Sequence, residues 1–109
     1  MLAKQHRLTV ADFKQLPRTG KHFHQTLVHV QWVPSPTKKV AIVVSKKVSK
    51  KAVVRNKIRR MLYGVVESRW EILADGWYVI KVKPTARQAT LQMIRSETYE
   101  TLGSLVETR

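Results

Sequence analysis

Five consecutive apolar residues, Val40-Ala41-Ile42-Val43-Val44, are followed a few positions later by a stretch with a helical hydrophobic period, and this switch constrains the fold most. A continuous aliphatic run of that length suits a central strand buried on both faces, so material must pack on each side of a sheet. From Ala52 to about Leu73, Val54, Ile58, Met61, Leu62 and Val65 fall at offsets 0, 4, 7, 8 and 11 and share one helical face. At about 100° per residue, Arg55, Asn56, Arg59 and Arg60 take the opposite arc, so burying the apolar stripe presents these groups outward.

The flanking segments supply further elements. Thr9-Val10-Ala11-Asp12 reads as a helix start, with Thr9 capping free N–H groups and Asp12 near the positive helix end; Pro17 stops that helix early. Gly20 lies in a turn. Between Gln25 and Val33, Val28, Val30 and Trp32 alternate with Leu27, His29 and Gln31, a half-buried strand pattern. Pro34-Ser35-Pro36 makes a stiff turn, Asp75-Gly76 another, Trp77 to Lys83 alternates as a strand, and Pro84 closes it. Leu91, Ile94, Thr98, Leu102 and Leu105 mark a last helix whose end Gly103 weakens. The expected order is helix, strand, strand, helix, strand, helix, with room for a bend to split the first strand region. A chain of 109 residues with 43% apolar content builds one domain around one modest core.

Charge narrows the function. The chain carries 21 Lys and Arg against 7 Asp and Glu, a formal net charge of +14. Residues 1–66 hold 15 of the basic side chains and one acid, Asp12, so all of the net charge lies there. Between Lys46 and Arg60 stand eight basic residues and no acid. Such a block is not a salt-bridged face; Arg and Lys suit phosphates, and Asn56 can both donate to and accept from RNA, which points to a polyanionic partner. With no cysteine there is no disulfide framework or thiolate metal site. No apolar run is long enough to span a bilayer, and no signal peptide is visible, so a soluble, cytoplasmic protein without a membrane partner is expected.

At these residues a resemblance becomes specific. Val44-Ser45-Lys46-Lys47-Val48, then Ala52-Val53-Val54-Arg55-Asn56-Lys57-Ile58-Arg59-Arg60, resembles the signature of the bacterial ribonuclease P protein family. Asp12-Phe13, Gly20, Pro84 and Ala86 match in order along the chain. The resemblance implies an α+β domain like the second domain of a ribosomal small-subunit protein, with a central mixed sheet packed by helices and a left-handed βαβ crossover, contrary to the usual hand. It further implies that the chain binds ribonuclease P RNA and precursor tRNA and assists removal of the 5′ leader, with Mg²⁺ bound mainly by the RNA subunit. By position, the RNA contact surface falls on Arg55, Asn56, Lys57, Arg59 and Arg60, supported by Lys46, Lys47, Lys50 and Lys51. A second surface, a cleft for the single-stranded leader, is matched by Phe13, whose ring can stack on any base. Leu16 stands where the family often has a second aromatic residue, and either His29 or Val30 occupies the place of the usual strand tyrosine. Phe23 is a substitute for the cleft or a core residue.

Two other classes compete. A ribosomal-type structural RNA-binding protein fits the charge equally well, and only the motif argues against it. An autonomous nuclease would need clustered carboxylates or a histidine pair. His22 and His24 flank Phe23 at strand spacing, but with no third ligand or acid apparent the reading is a basic groove wall, with no catalytic residue and no metal site on the protein. DNA is not expected as a partner, because the basic helix offers few groups for reading base edges. Trp32, Trp70 and Trp77 read as core or rim residues.

Overall fold

Thr9 starts the first helix as its chemistry dictates: its hydroxyl accepts from the Asp12 N–H at 3.1 Å and the Asp12 carboxylate accepts from the Thr9 N–H at 2.9 Å. A computed structural model describes residues 4–17 and 20–105. Its elements are α1 (Val10–Lys14), β1 (Lys21–His24), β2 (Val28–Val33), β3 (Lys39–Val44), α2 (Ala52–Ser68), β4 (Trp77–Val82) and α3 (Leu91–Gly103), with 3-10 turns at Lys4–His6 and Pro84–Gln88.

The strands form one mixed sheet in the order β1-β2-β4-β3. β1 pairs with β2 and β2 with β4 antiparallel, whereas β3 and β4 run parallel, joined through α2. Alternation then sorts the side chains onto two faces. Val28 and Val30, Tyr78, Ile80 and Val82, and Val40, Ile42 and Val44 meet Ile58, Leu62, Val65 and Val66 of α2 and Ile94 and Leu102 of α3 in the core. Truncating a fully buried member such as Leu62 to Ala costs about 2–5 kcal/mol. The opposite face carries His22, His24, His29, Gln31, Ala41, Val43, Val79 and Lys81.

α1 covers part of that second face. Lys39 Nζ lies 3.3 Å from Asp12 Oδ2, and Gln31 Nε2 donates to the Pro17 carbonyl at 2.8 Å. Beneath this cover Gln31, Ala41 and Val79 are buried, although no helix of the main core touches their face. The α1 cover also corrects the reading of the Val40–Val44 run. β2 and β4 are the interior strands; β3 lies at an edge of the four, Ala41 is buried, and Val43 is 37% exposed.

Three further expectations shift. An additional strand, Lys21–His24, forms ahead of the expected Gln25–Val33 region, so that His24 faces His29 across the hairpin. Leu27 precedes β2 rather than alternating with it, and its side chain joins the main core. Its N–H donates to Glu97 Oε2 at 2.7 Å and the Thr26 N–H to Oε1 at 2.9 Å, which ties the hairpin turn to α3. The α2 helix ends at Ser68 rather than near Leu73, and the Trp70 carbonyl accepts instead from Lys38 Nζ at 2.6 Å. Gly76 has φ +149, and a Cβ there would lie 2.4 Å from Trp32 Nε1, so only glycine fits this turn.

Candidate nucleic-acid interface

The turn from β3 into α2 gathers charge, with no carboxylate among the described residues that line it. Exposed Lys46, Lys47, Lys50 and Lys51 line a groove with Val48, Ser49, Pro84 and Arg87. Lys51 stands at the N-cap of α2 without a side-chain cap, and the first turn contains no acid. A helix usually places acids or hydroxyls there, so the positive helix end adds to the lysines and favours an anion in the groove.

Along α2 the predicted stripe is buried as expected: Ile58, Leu62 and Val65 are in the core, with Val54 and Met61 packed against it. The basic residues divide into two roles. Arg55 does not simply point outward; its Nη1 donates to the carbonyls of Ser49 at 2.9 Å and Lys50 at 3.0 Å, bracing the lysine-bearing turn. Lys57 is exposed. Asn56, Arg59 and Arg60 line a second groove with Arg7 and Tyr63, and Arg59 Nη2 donates to Asn56 Oδ1 at 2.5 Å. This bond aims the guanidinium and leaves its remaining donors for phosphate oxygens.

Arg7 and Arg87 are members that sequence reasoning missed. Each is an isolated cation far from the motif. Arg7 arrives because the N-terminal segment pairs beside β3, with the Leu8 N–H donating to the Val40 carbonyl at 3.0 Å. Arg87 arrives on the 3-10 turn after β4. Neither has a local signal that could have marked it.

The second surface is the uncovered part of the sheet. Here His24, His29, Val43, Ser45, Lys81 and Lys83 line a shallow groove with Val82 and Pro84. Phe13 is half-buried on α1, the helix that borders this face, and the main core draws on Phe23 but not on Phe13. Phe23 pairs with Val30, which is fully buried under the helices, so its ring packs on the core and not beside Phe13 and His29. Strand alternation forces that outcome: His22 and His24 face one side and the residue between them the other. By the same rule His29 lies on the open face, while Val30 points into the core.

The three histidines of this face come together. His22 Nδ1 lies 3.0 Å from His29 Nε2, and the His24 and His29 ring centroids are 4.1 Å apart. Partial burial pushes the His29 imidazole down to about 4, aided by the positive fields of His24, His22, Lys81 and Lys83. Asp12 and Glu97 are engaged elsewhere. Asp12 is held below its ordinary range chiefly by the Thr9 backbone N–H, and Glu97 accepts from the two amides of the hairpin turn. Among the described residues no carboxylate cluster offers the oxygen ligands that Mg²⁺ prefers.

A mixed sheet with α2 and α3 on one face, α1 bordering the other and an acid-free cationic strip on its crossover helix defines an α+β domain with a surface suited to a polyanionic backbone. The chain belongs to the ribonuclease P protein family, whose model, described as Ribonuclease P, matches residues 2–106. A ribonuclease P protein component of Picosynechococcus is 36% identical over 100 residues, covering 88% of this chain and 86% of that protein. One from Microcystis aeruginosa is 34% identical over 99 residues, covering 84% and 82%. The fold also matches that of the Staphylococcus aureus RNase P protein, with a TM-score of 0.80, 20% identity and coverage of 94% and 98%. For the Thermotoga maritima RNase P protein the TM-score is 0.76 at 20% identity, covering 94% and 98%. Among the described residues no helix is long and apolar enough to cross a membrane.

Proposed function

We propose that the chain serves in tRNA 5′ maturation as the protein subunit of a ribonuclease P ribonucleoprotein in the cytoplasm. In this reading the groove of Lys46, Lys47, Lys50, Lys51 and Arg87 and the strip of Asn56, Lys57, Arg59 and Arg60 bind the RNA subunit, with Arg55 bracing the turn between them. The observation that carries it is the convergence of Lys46, Lys47, Lys50, Lys51 and Arg87 beside an uncapped helix N-terminus with no acid lining the groove. Phosphates satisfy both the side chains and the positive helix end at once. The open sheet face, bordered by Phe13 and lined by His29, Lys81 and Lys83, takes the single-stranded 5′ leader of precursor tRNA. A ring and a flat apolar patch at Val43 accept bases while the lysines follow the backbone.

Catalysis in this reading belongs to the RNA, which also binds most of the Mg²⁺. The protein supplies positive charge that offsets repulsion between the RNA subunit and its substrate, and it holds the leader in place. Adding the chain to a bacterial ribonuclease P RNA should restore precursor cleavage at low Mg²⁺, whereas the chain alone should cleave nothing. Cleavage by RNA-free protein that is abolished in His22→Ala or His24→Ala would replace this reading with that of an autonomous nuclease.

A further inference from the structure

The hairpin of β1 and β2 assembles a histidine cluster of which the RNA-binding reading uses only His29. His24 sits directly across from His29, and His22 lies one pair further along on the same face. One ligand atom from each of the three imidazoles falls within 4.8 Å of the others. Zinc bonds to imidazole nitrogen at about 2.0–2.1 Å, so two ligands of a tetrahedral ion stand about 3.3 Å apart. The 3.0 Å separation of His22 Nδ1 and His29 Nε2 is already close to that edge. His22 and His24 are exposed, so their rings can rotate to complete the set, while half-buried His29 anchors it.

We infer that His22, His24 and His29 form a binding site for one divalent transition-metal ion of the zinc class, with a water in the fourth position.

Ligand chemistry selects the ion. Three imidazoles and no carboxylate suit zinc, cobalt, nickel or copper and offer nothing to Mg²⁺ or Ca²⁺. Lys81 and Lys83 line the same groove and oppose a cation, so the three imidazoles must hold the ion through their nitrogen lone pairs against that field. Spacing in sequence hides the site, since His22 and His24 present two ligands and the third arrives only through strand pairing. An occupied site would add two positive charges to the wall of the open groove.

The inference does not depend on the RNA reading and is tested on RNA-free, untagged full chain at pH 7.5. Titration with Co²⁺ should give the visible absorption of a tetrahedral ion at one equivalent per chain, and Zn²⁺ should displace it. A thousandfold excess of Mg²⁺ should not. His22→Gln and His24→Gln should each weaken Zn²⁺ binding by roughly tenfold or more, as should His29→Gln. His6→Gln, whose ring packs near Trp70 instead, should bind like the parent chain. Far-UV circular dichroism checks each fold, and if His29→Gln unfolds, the two exposed positions decide. Unchanged affinity in both exposed variants, equal weakening in His6→Gln, or one ion shared by two chains would overturn the assignment.

Discussion

The four lysines leading into α2 lie within six consecutive residues, whereas the histidines and lysines of the open sheet face come from β1, β2 and β4 and the turn beyond, between residues 22 and 83. The first surface owes its charge to a local block and needs the fold only to aim it. The second exists only when the strands are in register. The two also differ in what they can hold: the α2 side is a dense field of charge suited to many phosphates, and the sheet side is a shallow, partly apolar groove with imidazoles and two lysines. The proposed function accordingly assigns a large folded RNA and a single strand to separate faces.

Removing the lysine block should produce the largest effect and break the comparison if it acts on both surfaces. The fourfold variant Lys46→Gln, Lys47→Gln, Lys50→Gln, Lys51→Gln should lower the log–log salt slope of RNA-subunit binding by about 0.7–0.9 for each phosphate left unneutralised, about 3 in total. Filter binding across a salt series measures this, and an unchanged slope would remove the groove from the interface.

Phe13→Ala should act on the other surface alone. Affinity of the holoenzyme for precursor tRNA should fall by about 1–3 kcal/mol if one base stacks on the ring, with little change for leaderless tRNA. An equal fall for both RNAs would show that the two faces are not separate.

Glu97→Ala sharpens the comparison from beneath, because it unties the hairpin turn that carries the histidines without touching α2 charge. The Thr26 and Leu27 amides then lose their acceptor, and the fold should be destabilised by about 1–2 kcal/mol. Urea denaturation should report the destabilisation while the salt slope stays unchanged.

The effect confined to the narrowest conditions is a pH dependence of the open face. In metal-free protein the unfolded chain protonates this imidazole near pH 6.5, while folded His29 resists protonation until about pH 4. Its contribution to stability is therefore complete above pH 6.5 and declines progressively as the pH falls to about 4. His29→Asn should flatten the denaturation midpoint across that window, and NMR titration of the ring should place its midpoint well below that of a free imidazole.

Helices were the most legible elements, for a physical reason. The start of α1 at Thr9, the buried stripe of α2 and the apolar positions of α3 each follow from contacts three or four residues apart, which a sequence displays directly. Strands were legible as segments but not in their neighbours. The Val40–Val44 run announced burial, yet its edge position depended on where β4 inserted, and nothing in the run itself separated buried Ala41 from exposed Val43. Phe23 shows the same limit, since alternation separated it from His22 and His24 but could not say which side the helices would cover.

The chain's sequence alone determined the excess of positive charge, its concentration between Lys46 and Arg60, and the amphipathic helix that displays it, because these are properties of neighbours along the backbone. Only the tertiary structure decided that Arg7 and Arg87 join that charge, that Arg55 turns back to brace it, and that His29 meets His22 and His24. Those outcomes rest on strand order and register, which are set by how the whole apolar set packs against α2 and α3 and not by any local pattern.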